Sequence, residues 1–235
     1  MTLHMTDLSA EIGPRDAEVV TPSSLKGRGA GQGGSFYRKL AKRGLDVLAV
    51  VLTAPLTVPL IAILSLIVAS GGHAPFYSQD RIGRGGKVFR MWKLRTMVHN
   101  ADEKLEEYLA SNPDARVEWN HKQKLTNDPR VTRVGRWLRK SSLDELPQLW
   151  NVLNGSMSLV GPRPMMVNQQ ESYDGTAYYR LRPGMTGFWQ IAERNCVSFS
   201  GRIDFDERYD RELTLGIDLR VLAQTVVVVC RGTGC

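Results

Sequence analysis

Asp144 and Glu145 stand side by side in Ser141-Ser-Leu-Asp-Glu-Leu-Pro-Gln-Leu-Trp-Asn-Val-Leu153, directly after Arg139 and Lys140. A carboxylate can attack phosphorus when cationic side chains and a divalent metal neutralise its charge and that of the phosphate. The run Leu159-Val-Gly-Pro-Arg-Pro164 follows one helix later and forms a stiff loop around Arg163. Together these residues can hold a metal and a phosphate against a carboxylate nucleophile. The plainer alternative is that two acids at a helix start complement its dipole. Pro147 favours a helix beginning just before it, while Ser142 with Glu145 fits a capping box. Either start places Asp144 and Glu145 in or beside the first turn.

The elements around this pair follow from pattern. Phe76 to Met97 reads as short extended pieces around the turn Gly83-Arg-Gly-Gly86, ending in Trp92-Lys-Leu-Arg-Thr-Met97. Leu105, Tyr108 and Leu109 give the charged stretch from Asp102 to Gln123 the spacing of an amphipathic helix, interrupted at Pro113. Val131 to Leu138 interleaves arginines with Val134, Trp137 and Leu138, the pattern of a basic interfacial helix or of a helix packed on the domain by its apolar stripe. Leu219 to Cys235 is apolar and Val-rich but too short to span a bilayer, so it reads as a terminal element resting on the membrane or packed in the core.

Between Leu45 and Ser70 the only charged residue is Asp46. About 20 helical residues cross a hydrocarbon core of roughly 30 Å, so this stretch is long enough for an ordinary span. Two features favour a re-entrant hairpin instead. Pro55 and Pro59 lie near the middle, where each removes a helical hydrogen bond. The flanks are basic on both sides, with Arg38, Lys39, Lys42 and Arg43 before and Arg81, Arg84, Lys87 and Arg90 after. A single span would carry one cluster to the outer face, against the positive-inside tendency.

Residues 1–35 mix charge, Pro and Gly and end in Lys26-Gly-Arg-Gly-Ala-Gly-Gln-Gly-Gly-Ser35, a composition too poor in apolar area to order itself. The 235 residues are 42% apolar, enough for a core, and the formal charge of +7 calls for an anionic partner. Cys196, Cys230 and Cys235 have no zinc spacing and point to a reducing compartment. The first residues lack the layout of a cleavable signal, so the chain is expected to begin on the cytoplasmic side. The expected organisation is a disordered tail (1–35), a membrane-inserted helical segment (36–73) and a cytoplasmic catalytic domain (74–235). The expected class is α+β, mainly helical, with a re-entrant membrane helix hairpin and amphipathic interfacial helices around a compact catalytic domain.

Six runs in this order resemble one family. They are Lys42-Arg-Gly-Leu-Asp46 leading into a Pro-bent apolar segment, Phe76-Tyr-Ser-Gln-Asp-Arg-Ile-Gly-Arg84, Lys93-Leu-Arg-Thr-Met97, Ser142-Leu-Asp-Glu-Leu-Pro-Gln148, Ser158-Leu-Val-Gly-Pro-Arg-Pro164 and Arg182-Pro-Gly-Met-Thr-Gly187. The family is the bacterial sugar transferases, or monotopic polyprenyl-phosphate phosphoglycosyl transferases, and the resemblance is to its short form from about Lys39 onward. It implies that Asp144 attacks the β-phosphate of a UDP-sugar, releases UMP and holds the sugar phosphate until undecaprenyl phosphate takes it. It further implies Mg2+ at Glu145 with Asp144, phosphate binding by Lys93, Arg95, Arg139 and Arg163, and a nucleotide near Arg182, Gly184 and Thr186. A Pro-Gly turn with no ligand is the plain reading of that last segment.

One departure concerns the membrane bend, where the family commonly has Ser-Pro and this chain has Ala54-Pro55. Alanine has no hydroxyl for the carbonyl that proline frees, so the bend would rest on Pro55, Pro59 and Thr53 or Thr57. The Arg-Gly-Thr-Gly-Cys ending is similar to that of exopolysaccharide-initiating members, several of which transfer galactose 1-phosphate, and the sugar expected from the resemblance as a whole is of galactose or glucose type. The implied location is the inner (plasma) membrane with the catalytic domain on the cytoplasmic face. Oligomeric state is open, a homodimer included. A non-enzymatic scaffold of polysaccharide assembly would not need adjacent carboxylates among arginines. Those same carboxylates would repel nucleic acid, so none is expected as a partner.

Overall fold

The computed structural model describes residues 36–72, 74–122, 125–192 and 201–230. The tail expected over 1–35, and also Cys196 and Cys235, lie outside the described residues. Helix predominates and the strands are few and short, in keeping with an α+β, mainly helical class.

A π-helical turn, Tyr37–Ala41, leads into α1, Lys42–Ala69. Where the prolines suggested two hairpin arms, α1 is one continuous helix with Pro55 and Pro59 inside it. Thr53 donates its hydroxyl to the carbonyls of Ala49 and Val50, at 2.8 and 3.1 Å. This back-bonding bends helices, although it does not reach the carbonyl of Val51, which Pro55 leaves without its usual donor. The ends of α1 pack on the rest of the protein. Val50 joins Met91, Val152 and Met157, while Leu64 and Val68 join Leu94 and Leu138. The middle is bare, with Leu52 and Leu56 70% and 75% exposed.

The lone acid of α1, Asp46, is buried and hydrogen-bonded. The Ser158 hydroxyl donates to Asp46 at 2.6 Å, and the backbone N–H of Leu159 donates to the same carboxylate at 3.3 Å. The basic residues ahead of it are largely spoken for as well. Lys42 and the Tyr37 and Tyr209 hydroxyls converge on Asp218 at 2.5, 2.6 and 2.6 Å. Arg38 reaches Asp210 at 2.6 Å, and Arg43 donates to the carbonyls of Val152 and Leu153. The cluster read as a positive-inside flank thus mainly bolts the base of α1 to the domain.

Strands β1 (Phe76–Ile82) and β2 (Val88–Leu94) form an antiparallel ribbon around the Arg84–Gly86 turn, as the pattern indicated. Helices α2 (Ala101–Ser111) and α3 (Pro113–Lys122) meet at the expected Pro113 break and enclose a small core of Leu105, Leu109 and Leu125. Next come α4 (Arg133–Lys140), capped by the Thr132 hydroxyl, and α5 (Gln148–Asn154). In α4 Leu138 is buried while Trp137 is exposed. Strand β3 (Ser158–Val160) pairs in parallel with β5 (Gly184–Thr186), and β4 (Met165–Met166) joins β1, so the larger sheet runs β2-β1-β4. Short helices α6 (Ala177–Arg180) and α7 (Phe188–Ile191) precede α8 (Arg202–Glu212) and α9 (Leu215–Cys230). The last two close the main core through Phe205, Tyr209, Ile217 and Val221.

Because the Asp46 carboxylate is buried, its hydrogen bonds contribute to the attachment of α1. Ser158→Ala should lower stability by about 1–3 kcal/mol, read as a lower thermal midpoint in detergent. An unchanged midpoint would mean the contact is dispensable.

Candidate active site

Helix α4 ends at Lys140 and the chain must reverse before α5. It does so through Ser142, whose backbone is left-handed (φ 56°), and a single 3-10 turn, Leu143–Glu145. The capping box read from Ser142 and Glu145 is therefore not formed. Ser142 is spent on the reversal and makes no capping bond, and α5 starts after Pro147 instead. Asp144 and Glu145 project from this turn, Asp144 being only 7% exposed.

Two elements deliver the cations, one distant in sequence and one directly before the turn. Lys93 on β2 binds Glu145 at 2.7 Å. Its strand is held to α5 by the buried Asn151, whose amide donates to the Arg90 carbonyl at 2.7 Å and accepts from the Trp92 N–H at 3.0 Å. Arg139 on α4 donates from Nε to the Thr96 hydroxyl at 2.9 Å. Burial pushes the Asp144 carboxyl up to about 6 against the opposing pull of Lys93, with Glu145 pushing up and Arg139 pulling down more weakly. Arg139 itself is lowered by burial, with Asp144 and Asp128 resisting.

The pair opens into a cleft of about 500 Å³ that Lys93, Arg95, Arg139 and Arg163 all line. Arg81 and Arg130 line it too, so six cationic side chains face three carboxylates, Asp102, Asp144 and Glu145. Such a balance suits a ligand bearing more than one phosphate. Arg163 stacks its guanidinium on the Trp189 ring, 5.3 Å from the centroid. Arg95 lies 5.8 Å from the Tyr77 centroid and donates to the Ala74 carbonyl.

The third group of sequence candidates sits elsewhere. Arg182 donates to the Gly155 carbonyl at 3.0 Å and the Thr186 hydroxyl meets that of Thr225 at 2.6 Å, neither lining the cleft. Gly184 borders a small hollow of about 30 Å³ beside Glu145. Its N–H bonds Pro162 at 2.8 Å, and a Cβ on Gly161 or Gly187 would overlap the opposite backbone. This segment backs the Arg163 loop at backbone contact. The motif reading passed over Arg81, Arg130 and Trp119; the available signal was Arg81 inside the Gln-Asp-Arg-Ile-Gly run, read there only as flanking charge. Pro55 and Pro59 lie on α1, away from the cleft.

The arrangement is a buried carboxylate beside a second one, faced by lysine and arginines, on a domain carrying a long apolar helix. Comparison with known proteins gives it a family. The description "Bacterial sugar transferase" matches residues 37–232, and the chain belongs to that family. It is 48% identical over 198 residues to the exopolysaccharide production protein ExoY of Rhizobium meliloti, covering 83% of this chain and 88% of that one. A UDP-galactose-lipid carrier transferase of Erwinia amylovora is 45% identical, and an undecaprenyl-phosphate galactose phosphotransferase of Salmonella typhimurium 46%. Each of these matches 83% of this chain, which spans only 42% of their length.

In metal-free protein the Asp144 carboxyl should titrate near pH 6, being mostly ionised at pH 7 and mostly protonated at pH 5. Lys93→Met should move that midpoint upward. Carboxyl-selective 13C NMR checks both, and a midpoint near 4 would remove the burial argument.

Proposed function

We propose that this chain is a phosphoglycosyl transferase that moves a sugar 1-phosphate, of galactose or glucose type, from a UDP-sugar to undecaprenyl phosphate at the start of exopolysaccharide or related surface glycan synthesis. The observation that carries the reading is the buried Asp144 beside Glu145, at the end of a cleft rich in cations. The names of the relatives supply the substrates.

Asp144 is the nucleophile. Its carboxylate oxygen bonds to the β-phosphorus as the bond from that phosphorus to the bridging oxygen breaks, and UMP leaves with the electron pair. The sugar phosphate is then held on Asp144 as an acyl phosphate, a mixed anhydride. An oxygen of undecaprenyl phosphate displaces Asp144 from the same phosphorus, forming the lipid diphosphate sugar and restoring the carboxylate. Lys93, Arg139 and Arg163 offset the phosphate charge as it passes between partners, and Arg95 lines the same wall. Lys93 also orients Glu145.

Two adjacent carboxylates fit Mg2+, a hard ion that takes one or two carboxylates and fills its remaining positions with water and substrate phosphate oxygens. Among the described residues no cluster of three or more His, Cys, Asp or Glu side chains offers a closed metal cage. Glu145 and Asp144 would hold the ion, which when bound supplies charge neutralisation at the diphosphate.

For the membrane, the support is α1, the one candidate span among the described residues by length and composition. Both of its ends pack on the catalytic domain while its middle is bare. A helix crossing the bilayer would carry one end beyond that domain's reach, so a re-entrant placement with the cleft on the cytoplasmic side accounts for the packing. An apolar cavity of about 370 Å³ between α1 and α5, lined by Ala54, Ile61, Trp92 and Trp150 among others, suits the prenyl chain of the acceptor.

Purified protein in detergent, given Mg2+, undecaprenyl phosphate and a panel of UDP-sugars, should release UMP with one or two of them. Asp144→Asn should cut turnover by about a thousandfold or more while staying folded. Turnover retained in that variant would take the nucleophile's role from Asp144. For topology, single cysteines replacing Phe36 and Lys87 in a cysteine-free background should both be labelled from the cytoplasmic face. Labelling from opposite faces would make α1 a span.

A further inference from the structure

The Arg163 loop is gripped from two sides by arginines with different surroundings. Arg202 donates to the Arg163 carbonyl and lies deep in the domain, 3.7 Å from the Asp206 carboxylate, which in turn accepts from the Tyr173 hydroxyl at 2.8 Å. Arg81 donates from Nη1 to the Pro164 carbonyl at 3.3 Å and from Nη2 to Gln79 Oε1 at 2.6 Å. Among the described residues no carboxylate comes within 4.0 Å of the Arg81 guanidinium.

Arg81 is also placed where a ligand can reach it. With Lys93, Glu145 and Arg163 it lines both the large cleft and the small hollow beside Gln148, so it stands at their shared rim. Burial, then the charge of Arg163 and that of Arg202, lowers its pKa to about 10. Cations that crowd one another in partial burial, with no acid of the described residues on Arg81, are costly unless an anion sits among them. Arg81 and Arg163 share the rim with Lys93, whose ammonium is already engaged by Glu145.

We propose that Arg81 and Arg163 form a phosphate oxyanion site on the Gln148 side of the carboxylate pair, making Arg81 a further substrate-binding residue. The inference rests on the phosphoglycosyl-transfer reading for the identity of the phosphate, which is either the donor's diphosphate or the acceptor's monophosphate. Both offer the same oxygens to a guanidinium fork.

The probe is inorganic pyrophosphate, titrated calorimetrically into full-length protein in detergent. Arg81→Gln keeps an amide donor for the loop but no charge and should weaken binding about tenfold or more, whereas Arg81→Lys should lose less. The two substrates then tell the sources apart. A raised KM for the UDP-sugar assigns the site to the donor, and a raised KM for undecaprenyl phosphate assigns it to the acceptor. Folded Arg81→Gln that binds pyrophosphate as wild type does, with both KM values unchanged, overturns the proposal. Phenylglyoxal labelling of the wild type, read by mass spectrometry, needs no variant. Pyrophosphate should shield Arg81, and labelling indifferent to it also overturns the site. If the wild type binds pyrophosphate through Arg81 but releases no UMP from any UDP-sugar, the transfer reading fails and the anion site stands.

Discussion

Asp144 is held out of water next to a second carboxylate, and Lys93 and Arg139 are what make that arrangement tolerable. Taking a carboxylate from water costs several kcal/mol unless charge or hydrogen bonds offset it. Here the offset is partial, so Asp144 keeps a raised pKa and yet remains largely ionised at neutral pH. In the proposed reaction a nucleophile benefits from both properties. Desolvation raises its basicity, and the remaining charge leaves it able to attack.

Much of the domain can be understood as the apparatus that brings those cations in. Lys93 arrives on an edge strand whose outer hydrogen-bonding groups are taken by Asn151 of α5, the helix that follows the carboxylate turn. Ribbon and turn are thereby held in register. Arg139 arrives on the last turn of α4, anchored to the Thr96 hydroxyl just beyond β2. Arg163 arrives on a proline-stiffened loop backed by the Arg182–Gly187 segment, with glycines where the two backbones touch. Each device fixes a guanidinium or ammonium before a substrate is present, so little reorganisation is left for the reaction itself.

The same economy of position governs α1. Its single acid is buried inside the protein and hydrogen-bonded by Ser158 and the Leu159 N–H. Its basic base is tied to Asp210, Asp218 and the end of α5. An apolar helix anchored in this way keeps its bare middle at a set orientation to the cleft. The proposed transfer, in which a water-soluble donor and a lipid acceptor meet at one phosphorus, would require such an orientation.

The sequence alone carried the family, the carboxylate pair and the order of the motifs, because these depend on residue types at short spacing. It also carried the apolar segment, the β1–β2 ribbon, the break at Pro113 and a helix near Pro147, though not its start after that proline. Ser142 escaped it, since a capping box and a left-handed reversal use the same letters and only the short path from α4 to α5 chooses between them. Long-range placement escaped it as well. That Lys93 meets Glu145 across 52 positions, that Asp46 meets Ser158 across 112, that Arg38 and Lys42 serve the core, and that Arg81 turns to the cleft while Arg182 turns to Gly155, are outcomes of packing. A charged side chain reads the same in a string of letters whether it faces lipid, a buried acid or a substrate. The tertiary structure decides by setting which partner is near enough to offset the cost of burying it.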